Sequence, residues 1–290
     1  MTLTRVGSGL LAISVAAALL GGTACVSESD GDSKETGGTG GVGGATGSGG
    51  AAGKSNTGMG GAVSNTGEPG AVACGKAEAL ISDFTYVEGT SKADQVTFGD
   101  FVNTFSGGTY VYPNGTAMYP LTSDVTKSNW HITGTVGDYS GVGLFFNNCS
   151  KVDASAFSGI SFTISGTLPS GMSTMHLTVG TAGNDIPSAW LHANVSGNTD
   201  PPNFGRCTPA TSNKYDGSCN PPGADFSVTS TPTTLTFKWA DLKGGKPEPS
   251  VNPAEITLIA MSFTAPAGVG TASVVTYPVD ITIDDLKFVP

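Results

Sequence analysis

Four stretches of the chain alternate apolar and polar residues with a period of two. Ile160, Phe162 and Ile164 share one face of GISFTISG, and Met175, Leu177 and Val179 share one face of STMHLTVG. Leu235, Phe237 and Trp239 do the same in TLTFKWADL, as do Ile259, Met261 and Phe263 in LIAMSF. The opposite face carries Thr, Ser, Lys or His, so each stretch predicts a strand buried on one side. Shorter candidates are SDFTYV (82–87), GTYVYP (108–113), NWHITGTV (129–136) and GVGLFFNN (141–148). Gly, Pro, Asn and Asp punctuate the gaps between them. The pattern predicts an all-β fold, a sandwich or barrel of about 8–10 short antiparallel strands with no helical stretch.

A further stretch near the C-terminus, VDITIDDLKFV, contains a break in phase. Its apolar positions are Ile281 and Ile283, then Leu286 and Phe288, so the phase slips by one residue across Asp284-Asp285. A one-residue slip turns every later side chain to the other face, so a β-bulge is expected there. Two readings of the bulge follow. Either a carboxylate lies close to the interior and a cation offsets its burial, or both carboxylates reach solvent.

Nothing upstream of Phe84 resembles this patterning. All 23 aromatic residues lie at or after Phe84, so the first 83 residues cannot build an ordinary core. Arg5, the apolar run Leu10–Leu20 and the small residues Gly21 to Ala24 form the pattern of an export signal. The run falls short of the roughly 20 residues of a comfortable bilayer span. Gly22-Thr23-Ala24-Cys25 resembles a bacterial lipobox, with Gly22 where Leu is usual. That resemblance implies cleavage after residue 24, lipidation of Cys25 and anchoring to a membrane, as a cell-envelope lipoprotein at the outer membrane or cell surface. Plain secretion with Cys25 removed is the alternative. Residues 25–73 are rich in Gly, Ser, Thr and Ala and are expected to stay disordered, a tether with a reach of roughly 35–40 Å. Gly38, Gly40 and Gly43 match GxGxxG there, but with neither a strand before nor a helix after, they form no dinucleotide site. The folded domain is expected over 74–290.

Cysteine usage fits an oxidising compartment. Of the five cysteines, lipidation or removal of Cys25 leaves four, enough for two disulfides. Cys207 and Cys219 flank a short Pro-, Ser- and Asn-rich stretch and are expected to pair, which leaves Cys74 with Cys149. A zinc site is the rival use, but there is no CxxC pair. The net charge of −10 and the lack of any basic cluster leave nucleic-acid binding without an electrostatic footprint.

SDFTY, VDASAFSGISFTISG, LTFKWADL and ITIDDLKFV occur in this order along the chain. The ordered set resembles the galactose-binding-like jelly rolls, and within them the family 11 carbohydrate-binding modules, over Ser82 to Val289. The resemblance implies a jelly-roll β-sandwich. It also implies a structural calcium where the first and last strands meet, carried over onto Asp83 and Asp284 or Asp285. The insert from Asn184 to Asp225 and the GGKPEPSVNP stretch after Trp239 depart from it.

Three classes of function remain. Sugar recognition needs flat aromatic faces with polar groups beside them. The aromatics and histidines that alternation leaves outside the core, or that lie in the long insert, are Tyr110, Tyr112, His131, His176, Trp190, His192 and Tyr215; each could equally pack in the core or rim. Catalysis has less to stand on: there is no GxSxG or HExxH, and Glu88, Glu248 and Glu255 fall in expected loops. A surface adhesion or scaffold domain is the third class, since a fold does not fix a function. The reading carried forward is a non-catalytic, monomeric domain whose partners are a polysaccharide or oligosaccharide and, through Cys25, a membrane.

Overall fold

The computed structural model describes residues 67–84, 95–98, 107–112, 118–124, 129–146, 150–269 and 273–290. The export signal, Cys25, most of the tether, Glu88 and Cys149 lie outside them. Among the described residues the chain forms fourteen strands and one short helix. The strands are β1 (Ala73–Lys76), β2 (Leu80–Ser82), β3 (Gln95–Phe98), β4 (Gly107–Tyr112), β5 (Leu121–Asp124), β6 (Trp130–Val136) and β7 (Gly141–Phe146). They continue with β8 (Lys151–Asp153), β9 (Gly159–Thr167), β10 (Thr174–Thr181), helix α1 (Ser188–Asn194), β11 (Gly223–Ser227), β12 (Thr233–Lys238), β13 (Ile256–Phe263) and β14 (Tyr277–Val289).

They assemble into two sheets. One runs β12-β9-β14-β6-β5, with β2 beside the C-terminal end of β14. The other runs β1-β8-β13-β7-β4-β3, with β10 on the far side of β13 and β11 beyond it. All pairings are antiparallel except β1 with β8, which is parallel. The alternation explains the layers. Ile160, Phe162 and Ile164 of β9 and Trp130 and Ile132 of β6 meet Met175, Leu177 and Val179 of β10 and Ile259, Met261 and Phe263 of β13 in one buried core. Each such side chain contributes about 1.5–3 kcal/mol by leaving water. Trp130 also donates from Nε1 to Ser123 Oγ at 2.7 Å, so its polar edge is satisfied. The chain is thus a β-sandwich, as the patterning predicts.

Three details differ from expectation. Trp239 does not end a strand; β12 stops at Lys238, and Trp239 begins a 3-10 turn, Trp239–Asp241, with its indole Nε1 bonded to Phe157 O at 2.8 Å. A helix exists where none was expected, because Glu68 caps it. The Glu68 carboxylate accepts from Ala189 N at 2.6 Å and from Ser188 Oγ at the start of α1, and from Asn203 N at 3.0 Å. Burial would raise the Glu68 carboxyl, but the bonds from Ser188, Asn203 and Ala189 outweigh it and hold it below its ordinary value. For the same reason the folded unit begins before residue 74. Gly67 lies beneath the Phe204 ring, where an added Cβ would sit 2.5 Å from ring carbons, and Glu68 N donates to Asn203 O at 3.1 Å.

The bulge in β14 is present. Asp284 stands opposite Thr163 of β9 and Lys287 opposite Ser161, so β14 carries one extra residue there, with Asp285 at φ 50°. Leu286 and Phe288 thereby return to the core.

Candidate functional site

β4 points Val111 into the core and Tyr110 and Tyr112 to the opposite face of the eight-stranded sheet. The cross-strand register then fixes what lies beside them. One row runs Tyr110, Gly143, Ala260, Thr178, Gly223; the next runs Tyr112, Gly141, Ser262, His176, Asp225. Two tyrosines on one side and His176 with Asp225 on the other thus flank a floor of small residues.

The glycines of GVGLFF shape that floor. A Cβ at Gly143 would sit 2.3 Å from the Tyr110 Cζ and hydroxyl oxygen. A Cβ at Gly141 would sit 2.4 Å from both the Tyr112 hydroxyl and Met261 O. With no side chains at those positions the two rings lie down on β7, centroids 6.2 Å apart. The sequence expectation of outward tyrosines is therefore corrected in one respect: they do leave the core, but they are only 7% and 4% exposed, because the glycines let them fold flat. Neither hydroxyl has a hydrogen-bond partner among the described residues. A buried polar group left this way costs about 1–3 kcal/mol. Burial pushes both phenols well above their ordinary value, with Asp185 adding to the effect at Tyr110 and Tyr110 at Tyr112.

The other flank is open to solvent. His176 Nδ1 lies 2.6 Å from Asp225 Oδ1, with side chains 40% and 72% exposed. In a neutral imidazole this contact puts the proton on Nδ1 and leaves Nε2 as an acceptor. Asp185 is half-buried in the loop after β10 and accepts from Ile186 N at 3.1 Å. Desolvation pushes its carboxyl up to about 6, against the lowering effect of the Ile186 bond and with a further push from Asp200.

The fold thus gathers Tyr110, Tyr112 and His176 from the expected set and separates the rest. His131 is on the outer face of the other sheet, its Nε2 2.8 Å from Asp280 Oδ1. Trp190 is half-buried on α1, and the exposed His192 bonds through Nε2 to Asp200 O at 2.8 Å. Tyr215 is 47% exposed inside the loop closed by Cys207–Cys219, with Lys214 Nζ 5.0 Å above its ring. That disulfide has formed, S–S 2.03 Å, and in the chain-entropy picture so short a closed loop contributes about 3 kcal/mol. Cys74 is disulfide-bonded as well. Asp185, Asp225, Gly141 and Gly143 were not anticipated. The alternate glycines of GVGLFF were the readable signal, since a strand with a bare face invites a neighbour to lie on it; Asp185 had none.

Glu248 and Glu255, expected in loops, converge on Arg206. Its Nη1 lies 2.8 Å from Glu255 Oε2, and its Nη2 lies 2.5 Å from Glu255 Oε1 and 3.6 Å from Glu248 Oε1. Hydrogen bonding to Glu255 raises the guanidinium above its ordinary value, so it stays charged and fastens the two loops together.

Asp83 is exposed, Asp284 Oδ1 is taken by Asp285 N at 2.7 Å, and Asp285 Oδ2 lies 2.6 Å from Lys287 Nζ. Among the described residues no three His, Cys, Asp or Glu side chains converge as metal ligands would. The Lys287 ammonium supplies the positive charge at Asp285. Melting with and without EDTA tests the calcium expectation: a drop of several degrees on chelation would put a cation at the bulge, and an unchanged Tm would leave the carboxylates without one.

No protein-family model matches the sequence, and no curated protein matches it. Among solved structures it is similar to the family 11 carbohydrate-binding module of the cellulosomal cellulase Lic26A-Cel5E of Clostridium thermocellum. Identity is 11% and the TM-score 0.38, over 74% of this chain and 95% of that one. A family 11 module from Clostridium thermocellum in complex with a β-1,3-1,4-mixed-linked tetrasaccharide gives 12% and 0.36, over 69% and 97%. An exo-β-agarase gives 8% and 0.36, over 73% of this chain and 25% of its own. Two of these neighbours are modules of the family that the four ordered motifs resemble.

Proposed function

We propose that the chain is a non-catalytic carbohydrate-binding domain whose site is the outer face of the eight-stranded sheet. The observation that carries this reading is the pair of buried tyrosine hydroxyls without partners, facing His176 and Asp225 across a floor of small residues. A sugar ring suits that arrangement because it offers C–H faces to aromatic rings and hydroxyls to unpaired polar groups. A glycan hydroxyl placed at each phenol supplies the hydrogen bond it lacks. The ordered resemblance across Ser82–Val289 supports the same reading.

The experiment is a glycan panel probed with the purified protein, with the supernatant assayed for new reducing ends. Retention without cleavage is expected. Cleavage would make the chain an enzyme, and neither retention nor cleavage would leave the adhesion or scaffold reading.

The same proposal places the domain outside the cytoplasm, held by a lipidated Cys25 on the Gly-rich tether. The support is the export-signal pattern, the lipobox-like GTAC and a disulfide of the kind that persists in oxidising compartments. Cys25→Ala is expected to move the protein from the membrane to the soluble fraction; unchanged fractionation would remove the anchor.

A further inference from the structure

Among the described residues three side-chain polar atoms are buried without a hydrogen-bond partner: the Tyr110 and Tyr112 hydroxyls and Thr257 Oγ1. All three lie on the same face of the eight-stranded sheet. β10 and β13 slip register near Thr257: Gly180 stands opposite Leu258 but Thr181 opposite Ile256, so Thr257 is an extra residue in β13. Ile256 and Ile259, on either side of the slip, both stay in the core. Regular alternation would send Thr257 inward with Ile259 and Met261; the bulge re-aims it. Its Oγ1 comes to 2.9 Å from where a Cβ on Gly180 would stand, and Gly180, next to the core residue Val179, faces outward. Thr257 thus continues the site beyond Tyr110. The Tyr112 and Tyr110 hydroxyls lie over Gly141 and Gly143 of β7, and the Thr257 hydroxyl lies over Gly180 of β10. By the register, the path from the first to the last runs four residues along the strands and two strands across, about 16 Å at the usual sheet spacings. The floor between them is Gly143, Ala260 and Thr178.

Resting on the glycan reading above, we propose that Thr257 is a third polar contact of the site, taken up by a linear polysaccharide that lies obliquely across β7, β13 and β10. A hydroxyl both donates and accepts, so Thr257 can meet either a sugar hydroxyl or a ring oxygen. A buried hydroxyl without a partner gains more from such a bond than an exposed one, because it gives up no water to make it. The absent side chain at Gly180 leaves the room that a sugar needs to reach it. A disaccharide placed on the tyrosines stops short of Gly180, whereas a tetrasaccharide reaches it. Affinity therefore rises between the two lengths, and that rise, rather than binding as such, belongs to Thr257.

The test titrates the purified full-length protein with disaccharides and tetrasaccharides cut from the backbones of the panel polysaccharides, β-1,4-linked glucose, mannose and xylose among them. Wild type is expected to hold the tetrasaccharide about tenfold more tightly than the disaccharide. Thr257→Val keeps the branched shape and removes the hydroxyl. It should weaken the tetrasaccharide roughly three- to tenfold, the worth of one hydrogen bond, leave the disaccharide unchanged and melt no lower than wild type. Gly180→Ala, whose methyl would stand 2.8 Å from Leu258 Cβ and 2.9 Å from Thr257 Oγ1, should remove the same rise by filling the space. Equal wild-type affinity for both lengths, or a tetrasaccharide affinity unchanged in Thr257→Val, overturns the inference and leaves the glycan reading intact. So does weakening of both lengths alike with a lower Tm, which would make Thr257 structural, or retention of a polysaccharide without binding of any tetrasaccharide. Binding of no glycan on the panel overturns both.

Discussion

Asp185→Asn is expected to stabilise the protein at neutral pH and to make no difference in acid. In the folded chain the Asp185 carboxyl is raised from 3.8 to about 6, chiefly by desolvation. Between those values the folded state holds a proton that the unfolded state has released. Stability therefore falls as pH rises through that window and stays lower above it. The gap corresponds to a deficit on the order of 3 kcal/mol at pH 7, or roughly 6–12 °C in Tm for a domain of this size. Asparagine keeps an acceptor for the Ile186 amide and carries no charge. Urea unfolding at pH 4 and pH 7 measures the effect: wild type and variant should nearly coincide at pH 4, with the variant well ahead at pH 7. A variant less stable at both would mean that the carboxylate is compensated in the native state.

Gly141→Ala should damage stability and binding together. The added methyl would meet the Tyr112 hydroxyl and the Met261 carbonyl oxygen, each 2.4 Å from its position. The side chain could swing away; the carbonyl belongs to β13 and is fixed by the sheet. Overpacking of this kind costs about 1–3 kcal/mol, and relief requires Tyr112 to leave its place over β7. Lower stability in denaturant melts is expected, with loss of glycan retention. At Gly143 the three atoms nearest an added methyl all belong to the Tyr110 side chain, so Gly143→Ala should cost less in stability for a similar loss of binding. Retention at wild-type strength in Gly141→Ala would show that Tyr112 does not need to lie on β7 for the site to work.

Patterning carried the sandwich because its strong strands bury one face each. Ile160, Phe162 and Ile164, or Met175, Leu177 and Val179, leave no other phase open. The bulge at Asp284-Asp285 was readable for the same reason, since Leu286 and Phe288 had to return to the core. Short edge pieces such as β1, β5 and β8 were not readable, because three or four residues with mixed burial show no period. Helix α1 was hidden differently: its capping group is Glu68, about 120 residues away in sequence. The site was half legible. Alternation took Tyr110, Tyr112 and His176 out of the core, but not the register that sets them side by side across β7 and β13. Asp185 became visible only through the burial and the acidic neighbour that the folded loop gives it.

The central claim is that the unpartnered hydroxyls of Tyr110 and Tyr112 are held for a ligand. Replacing both tyrosines by phenylalanine tests it most directly, because the change removes two oxygens and leaves the rings. Titration with the tightest-binding glycan, paired with a denaturant melt of the free protein, gives two readouts of opposite sign. The account predicts binding weakened at least tenfold in a free protein as stable as wild type or more so, since each buried unpaired hydroxyl costs about 1–3 kcal/mol. Unchanged glycan affinity in the double variant would contradict it.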